Sequence, residues 1–307
     1  MPPEAIVAKA IHFVLSEFQP KPTPLKLEDV LKAIMYSVLN ITDDITHCGN
    51  IGHVVNDFRK VLELAHQNDF TGVNVDLTPG ASGSEINELL DKYSLKPVSF
   101  GFPIRLFDTE QAFKKSLDDF ENQAGMASEL GCHLTLCYIP PYSDELNFND
   151  LFIRTSKRLN ELKPLLEKYP IKIGFEFIGP TETRRKSKYD FIHTIDSVRA
   201  LIAASELYGY GEFKLDVHHW QNSGAGVLDL HHLDPEYLLY VELNDGLKGY
   251  DIFTMPESER ELPFETGITH IKDFLRALRR KGYQAGQPNE SIFILTNLAN
   301  GGVSGVQ

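Results

Sequence analysis

Residues 171–180 read IKIGFEFIGP, a short apolar run that contains one carboxylate, Glu176, near its end. Residues 213–220 read FKLDVHHW and have a similar arrangement, with Asp216 at the point where the apolar run stops. In the first run, apolar residues occupy positions that point to both faces, as in a parallel-sheet strand covered by helices on either side. The two stretches therefore predict consecutive strands of such a sheet, each with an acidic side chain at its end.

Outward from these stretches, short apolar runs alternate with longer amphipathic segments. Strands are predicted at 35–41, 72–77, 97–102, 133–139, 171–178, 213–217, 238–244 and 291–296. Helices are predicted at 54–68, 85–93, 109–130, 149–169, 194–206 and 271–281, with a short helix around 227–232. Eight strands with helical crossovers predict an α/β fold, a (β/α)8 TIM barrel, because eight parallel strands close into a barrel.

The chain is predicted to consist of a short extension and one long domain. The segment QPKPTP at 19–24 separates a helical stretch from the rest, so residues 1–24 are predicted to form an N-terminal helical extension and residues 25–307 a single barrel domain. Residues 297–307 are rich in glycine, so the eighth helix is predicted to be missing or shortened. We hypothesise that the N-terminal helix fills that position or covers the barrel floor.

Composition excludes several functional classes. The net charge of −13 disfavours nucleic acid as a partner, and the one dense basic cluster, at 184–188, suits a small anion at most. No apolar run reaches the ~18 residues of a membrane span, so no membrane partner is expected. The N-terminal residues do not resemble a signal peptide, and the three cysteines have the pattern of free thiols. These features predict a cytoplasmic protein.

Three carboxylates interrupt predicted strands near their carboxyl ends, where the active sites of such barrels lie: Glu176, Asp216 and Glu242. A buried carboxylate needs a cation, a metal or a proton, and a structural ion pair is the alternative interpretation for any one of them. Lys214 stands at the start of its strand, so no basic side chain is expected beside the three. A divalent cation is therefore predicted, and oxygen ligands favour Mg²⁺ or Mn²⁺.

Two histidines are candidates for substrate contact. His219 lies three residues after Asp216, which predicts a position on the loop rim, where it donates to a substrate oxygen. A surface histidine is the alternative. His193 lies at the start of the helix predicted at 194–206, where packing at the helix entry and substrate contact are equally compatible with its position.

Over residues 35–283 the chain resembles the xylose isomerase-like barrel enzymes, specifically the sugar phosphate isomerase/epimerase group. The resemblance rests on FEFIGP at 175–180, KYDFIHT at 188–194, LDVHHWQNSG at 215–224, YVELNDG at 240–246, RELPFETG at 260–267 and FLRALRRKGY at 274–283. It implies a (β/α)8 barrel with one divalent metal, Mn²⁺, Mg²⁺, Co²⁺ or Zn²⁺. The implied ligands are a Glu after strand five, an Asp after strand six, a His after strand seven and a Glu on strand eight.

The resemblance assigns roles to residues of this chain. Glu176 and Asp216 match the first two ligands, and His219 matches a histidine that faces the substrate. Arg260 resembles the arginine that precedes the LPGEG loop and reaches the substrate. Glu290, eight residues after Gly282, formally matches the strand-eight ligand, although it precedes the predicted strand.

Two positions depart from the family pattern. Glu242 stands where the strand-seven histidine belongs, and Phe264 replaces a glycine of the LPGEG loop. Glutamate can still bind a hard metal ion, so Glu242 is kept as a predicted ligand, but the site gains a negative charge and loses a nitrogen.

In such enzymes a metal polarises a carbonyl while a carboxylate removes the neighbouring proton to give an enediolate. The sequence thus predicts a metal-dependent isomerase or epimerase of a sugar, sugar phosphate or polyol, with Glu176 and Glu290 as catalytic carboxylates. Trp220 is a further substrate-binding candidate, stacking on a sugar face. The alternatives are a metal-dependent dehydratase of a cyclic polyol or keto acid, a non-catalytic barrel that has lost its metal, and a nuclease resembling endonuclease IV. The expected partner is a small carbohydrate, and the resemblance favours a homo-oligomer.

Overall fold

The computed structural model describes residues 58–67, 72–77, 82–282 and 292–295, with residues 186, 258 and 262 left out. Within these ranges the strands are β1 (Gly72–Val75), β2 (Lys96–Gly101), β3 (Leu134–Ile139), β4 (Tyr142–Ser143), β5 (Lys172–Phe177), β6 (Tyr189–Asp190), β7 (Gly211–Asp216), β8 (Leu238–Leu243) and β9 (Ile292–Leu295). The helices are α1 (Phe58–Gln67), α2 (Gly83–Tyr93), α3 (Glu110–Glu129), α4 (Phe148–Lys168), α5 (Thr181–Arg184), α6 (Ile195–Ala204), α7 (Val217–Asn222), α8 (Val227–Leu230) and α9 (Ile271–Arg280).

Seven of the strands form one parallel sheet in the order β1-β2-β3-β5-β7-β8-β9, and β4 pairs with β6 in a separate ribbon. The large sheet follows chain order, because each connection leads to the neighbouring strand, as in the singly wound sheet of a barrel. In this register Tyr138 lies opposite Glu176, and Asp216 lies opposite Glu242. The carboxyl ends of β5, β7 and β8 are therefore brought to one edge.

The helices begin at side-chain caps that the sequence supplies. The side chains of Ser82, Thr109, Asn147 and Thr194 accept backbone N–H groups in the first turns of α2, α3, α4 and α6. Such caps satisfy donors that have no partner within the helix. The buried residues of these helices join the strands in one apolar core, in which aromatic rings such as Phe100 and Phe120 stack.

The predicted elements within the described residues are confirmed to within two residues at the bounds that the structure shows. The exceptions are short: α5, α7 and the β4–β6 ribbon have no counterpart in the predicted strands and helices. The predicted strand at 35–41, the extension at 1–24 and the tail at 297–307 lie outside the described residues, as does the start of the helix predicted at 54–68. Among the described residues, no helix is both long and apolar enough to cross a bilayer.

Candidate active site

Three buried carboxylates meet at the carboxyl edge of the sheet, as the sequence predicts. Glu176, Asp216 and Glu242 are 9%, 3% and 5% exposed. They come from β5, β7 and β8, and Asp216 and Glu242 are directly paired across neighbouring strands. Carboxylates this close repel one another in a dry site, so their positions require positive charge or protons nearby.

His219 lies inside this cluster and not on the loop rim, so the predicted rim position is wrong. The reason is local: Asp216 caps α7 by accepting the backbone N–H of His218 at 2.6 Å, so the helix begins with no loop after the strand. Residues three apart share one face of a helix, which returns the His219 ring over the Asp216 carboxylate. The His219 side chain is 3% exposed.

The His219 ring faces carboxylate oxygens at distances too long for hydrogen bonds. Its Nε2 lies 3.6 Å from Glu176 Oε1, 3.9 Å from Asp216 Oδ2 and 3.5 Å from Glu257 Oε1. One ligand atom each from Glu176, Asp216 and His219 lies within 4.8 Å of the others. Donor atoms that share one ion at 2.0–2.2 Å are roughly 3.0–3.5 Å apart, so these three side chains fit a divalent cation after a small contraction.

Close contact between β5 and α7 depends on Gly179. A Cβ atom at this position would lie 2.0 Å from the carbonyl oxygen of His219. The Gly179 N–H also lies 3.5 Å from His219 Nδ1, at the long limit of a hydrogen bond. Metal binding through Nε2 would require the ring proton on Nδ1, so this long contact would have to open when an ion binds.

Lys214 is a residue of the cluster that the sequence interpretation missed. The expectation that no basic side chain lies beside the carboxylates is wrong, because Lys214 Nζ lies 2.7 Å from Glu176 Oε2 and 2.8 Å from Glu242 Oε2. Lys214 and Asp216 are two residues apart in a strand and share a face, and the long lysine side chain reaches the carboxyl edge. The strand alternation could have revealed this if the length of the side chain had been counted.

Glu242, a predicted metal ligand, is therefore paired with a lysine. Among the described residues, the group of metal-compatible side chains consists of Glu176, Asp216 and His219, without Glu242. Glu290 lies outside the described residues. At the level of Glu242, β9 contributes Ile294 to the sheet.

Glu257 and Arg260 close the cluster from the loop that follows β8. Arg260 is 1% exposed, and its Nη2 donates to Glu257 Oε1 at 3.0 Å while Nη1 donates to the Glu257 carbonyl. The predicted Arg260 thus reaches the site through an acidic residue that the sequence interpretation did not single out. The spacing of three residues between an acid and an arginine was the available signal.

Two buried residues directly after β8, Asn244 and Asp245, support the site: Asn244 orients Asp216, and Asp245 holds the loop. Asn244 Nδ2 lies 3.1 Å from both Asp216 oxygens. Asp245 accepts the backbone N–H groups of Thr266, Gly267 and Thr269 at 2.7–2.9 Å. Supporting hydrogen bonds of this kind orient ligand carboxylates.

Phe264 lies in the loop between these anchors with φ of 67°. This is the left-handed region, which glycine adopts freely and an aromatic residue rarely does. The resemblance predicts a glycine here, and the φ of Phe264 is one that glycine would adopt without strain. Phe264 packs against the main core, which compensates part of the cost.

The electrostatics of the cluster are those of a site short of positive charge. Burial raises the pKa of Glu176 despite the opposing effect of Lys214, with further increases from Glu242 and Asp216. Burial also raises the pKa of Glu257 to about 7. Burial and the charges of Arg260 and Lys214 hold the pKa of His219 well below its usual range, so its ring is neutral and suited to binding a metal.

Two predicted substrate contacts are engaged elsewhere. Trp220 is 2% exposed, its ring packs on Phe274 at 5.1 Å, and its indole N–H donates to the Gly226 carbonyl at 3.3 Å. These contacts place the Trp220 ring in the helix layer, and its stacking on a sugar stays a prediction. His193 contacts the Phe191 carbonyl at 2.6 Å and Arg184 Nη1 at 3.1 Å.

A cavity of about 520 Å³ opens between the loops that follow β2 and β3, and its lining includes Phe107, Tyr142 and Arg154. None of the clustered carboxylates lines it. We place the candidate active site at the carboxylates, because the ligand atoms converge there and the cavity has no such convergence.

Fold and site together define a parallel-stranded α/β barrel protein with a compact cluster of buried acidic and histidine side chains at the carboxyl ends of its strands. The chain belongs to the xylose isomerase-like TIM barrel family, whose model matches residues 51–286. This match confirms the barrel fold and the family resemblance. No curated protein is similar enough in sequence to count as a relative.

Solved structures share the fold at low sequence identity. A xylose isomerase domain protein from Alicyclobacillus acidocaldarius subsp. acidocaldarius has a TM-score of 0.70 and 21% identity, covering 81% of this chain and 87% of its own. The IolI protein, solved with a zinc atom, has a TM-score of 0.66 and 15% identity, covering 80% and 85%. An L-ribulose 3-epimerase has a TM-score of 0.58 and 16% identity, covering 78% and 76%.

Proposed function

We propose that the protein is a metal-dependent isomerase or epimerase that acts on a sugar, sugar phosphate or polyol. The observation that carries this proposal is the convergence of Glu176 Oε1, Asp216 Oδ2 and His219 Nε2 in a buried site. Family membership and the epimerase among the structural neighbours support the reaction class. Two oxygens and one nitrogen suit Mn²⁺ well and Mg²⁺ acceptably, and Co²⁺ and Zn²⁺ are compatible.

A bound divalent ion would polarise a substrate carbonyl and so acidify the neighbouring C–H group. Glu176, Asp216 and His219, which are buried, would hold the ion. Arg260 would position Glu257 from the loop side, since both of its Nη atoms donate to that residue. Glu257, whose Oε1 lies 3.5 Å from His219 Nε2, is the described candidate for taking and returning the proton, because both oxygens of Glu176 are directed to other partners.

The first test is metal content. The purified protein is expected to contain a divalent ion, and the chelated protein is expected to melt at a higher temperature after Mn²⁺ is added. Asp216→Ala should remove both effects. A protein without bound metal and without a melting shift would overturn the proposal and favour the non-catalytic barrel.

The second test identifies the reaction. Incubation of candidate ketoses and aldoses in deuterated water is expected to introduce deuterium at the carbon beside the carbonyl, because an enediolate exchanges its proton with solvent. Loss of water from the product, measured by mass, would identify a dehydratase instead. A carbohydrate substrate, a homo-oligomer and a cytoplasmic location stay predictions.

A further inference from the structure

Lys214 lies in an enclosure formed by residues of three strands. Its side chain is 9% exposed, and its ammonium group contacts Glu176 and Glu242 at 2.7 and 2.8 Å. The same group lies 5.5 Å from the centre of the Tyr240 ring. A buried ammonium is costly unless it is paired, so these contacts are the condition for its presence.

A glycine lies beside this lysine on the adjacent strand. Gly174 shares a face of β5 with Glu176, and a Cβ atom there would lie 3.6 Å from Lys214 Cβ and 3.0 Å from Leu136 Cδ2. The close approach at Gly174 is to Leu136, and the distance to Lys214 is an ordinary van der Waals contact. The enclosure of Lys214 rests on its burial and on its ion pairs with Glu176 and Glu242.

Lys214 divides the two oxygens of Glu176 between two tasks. Oε2 accepts from Lys214, and Oε1 faces His219 Nε2 at 3.6 Å. Glu242, although paired with Asp216 across the strands, directs Oε2 to the same lysine. The extra negative charge of Glu242 is therefore matched by the positive charge of Lys214.

We propose that Lys214 and Glu242 act together as a positioning pair. Lys214 occupies Oε2 of Glu176, and it would keep Glu242 out of the coordination sphere of the metal. Among the described residues, the metal would then have three protein ligands, Glu176, Asp216 and His219. This inference rests on the proposed function and deepens it.

The test is a charge cycle with Lys214→Met, Glu242→Gln and the double variant. Lys214→Met removes a positive charge and releases Glu242, so Mn²⁺ binding measured by calorimetry should become at least ~10-fold tighter, while the metal-free protein melts at a lower temperature. Glu242→Gln leaves the lysine charge in excess, so Mn²⁺ binding should weaken. The double variant restores the net charge and should bind Mn²⁺ to within roughly 3-fold of wild type.

The chain supplies a matched control. Lys172 Nζ lies 2.5 Å from the buried Glu212 Oε1, between the same two strands, β5 and β7, at their amino ends. Lys172→Met removes the same kind of side chain and should leave Mn²⁺ affinity unchanged.

The two proposals fail differently. A wild-type protein that binds no divalent ion overturns the proposed function. A wild-type protein that binds Mn²⁺, with Lys214→Met weakening that binding or with the double variant keeping the tighter binding of Lys214→Met, overturns the positioning role alone.

Discussion

His219 lies one helical turn after Asp216, and its Nε2 faces the Asp216 carboxylate at 3.9 Å because Asp216 is also the residue that caps the helix. One aspartate thus ends a strand, starts a helix and contributes an oxygen to the cluster. Because one residue has three roles, a substitution at Asp216 affects the strand end, the helix start and the cluster together.

Asp216→Asn should separate metal binding from folding. The amide oxygen can still accept the His218 N–H and cap α7, while the negative ligand is lost. Mn²⁺ affinity, measured by calorimetry, should fall more than about 100-fold, beyond the effect usual for residues behind a ligand. A variant that keeps wild-type affinity would exclude Asp216 from the site.

Asn244→Leu tests the support behind that ligand. Asn244 donates to both oxygens of Asp216, so its replacement frees the carboxylate to rotate. Mn²⁺ affinity should fall roughly 10–100-fold with the cluster otherwise present. Asn87→Leu is a suitable control, because Asn87 bonds Asp91 on the exposed side of α2. Equal losses of Mn²⁺ affinity in Asn244→Leu and Asn87→Leu would show that Asn244 does not support the Asp216 ligand.

The metal-free protein should lose stability as the pH rises through the weakly acidic range. The pKa of Glu257 is about 7 in the folded protein against an ordinary value of 4.5, so the folded state binds more protons between these values, and stability falls as they are lost. Urea unfolding at about pH 5 and about pH 7.5 should show a steeper decline for wild type than for Glu257→Gln, whose side chain cannot ionise. An equal decline in stability with pH for wild type and Glu257→Gln would contradict the raised pKa of Glu257.

Gly179→Ala should disrupt the approach of β5 to α7. The added methyl group would meet the His219 carbonyl oxygen, which belongs to the backbone and cannot rotate away. The free energy of unfolding should fall by about 1–3 kcal/mol or more, and the metal-induced melting shift should shrink. Gly226→Ala is the matched control, since the nearest atom to its added methyl group is 4.0 Å away. An unchanged free energy of unfolding for Gly179→Ala would show that α7 does not lie against Gly179.

Phe264 allows a comparison of two truncations. Phe264→Ala and Phe264→Gly both remove the ring, but only glycine adopts the φ of 67° without strain. The glycine variant should therefore be more stable than the alanine variant by about 1 kcal/mol in urea unfolding, against the usual order of these residues. The usual order, with alanine the more stable, would show that the loop does not hold this conformation.

Much of the architecture follows from the sequence because strand and helix periodicities are local. The apolar runs around Glu176 and Asp216 predicted their strands to within two residues, and the family resemblance predicted the barrel that the family match confirms. The positions of the three carboxylates at one edge followed from the parallel order of the strands.

The tertiary structure decided which side chains lie beside the three carboxylates. The sequence by itself determined that Glu176, Asp216 and Glu242 needed a counter-charge, since burial of a carboxylate is costly wherever it occurs. It did not determine that Lys214 would supply part of that charge, that His219 would turn inward, or that Trp220 would pack in the helix layer. Those outcomes depend on side-chain reach and on distances between strands, which emerge only when the sheet is assembled.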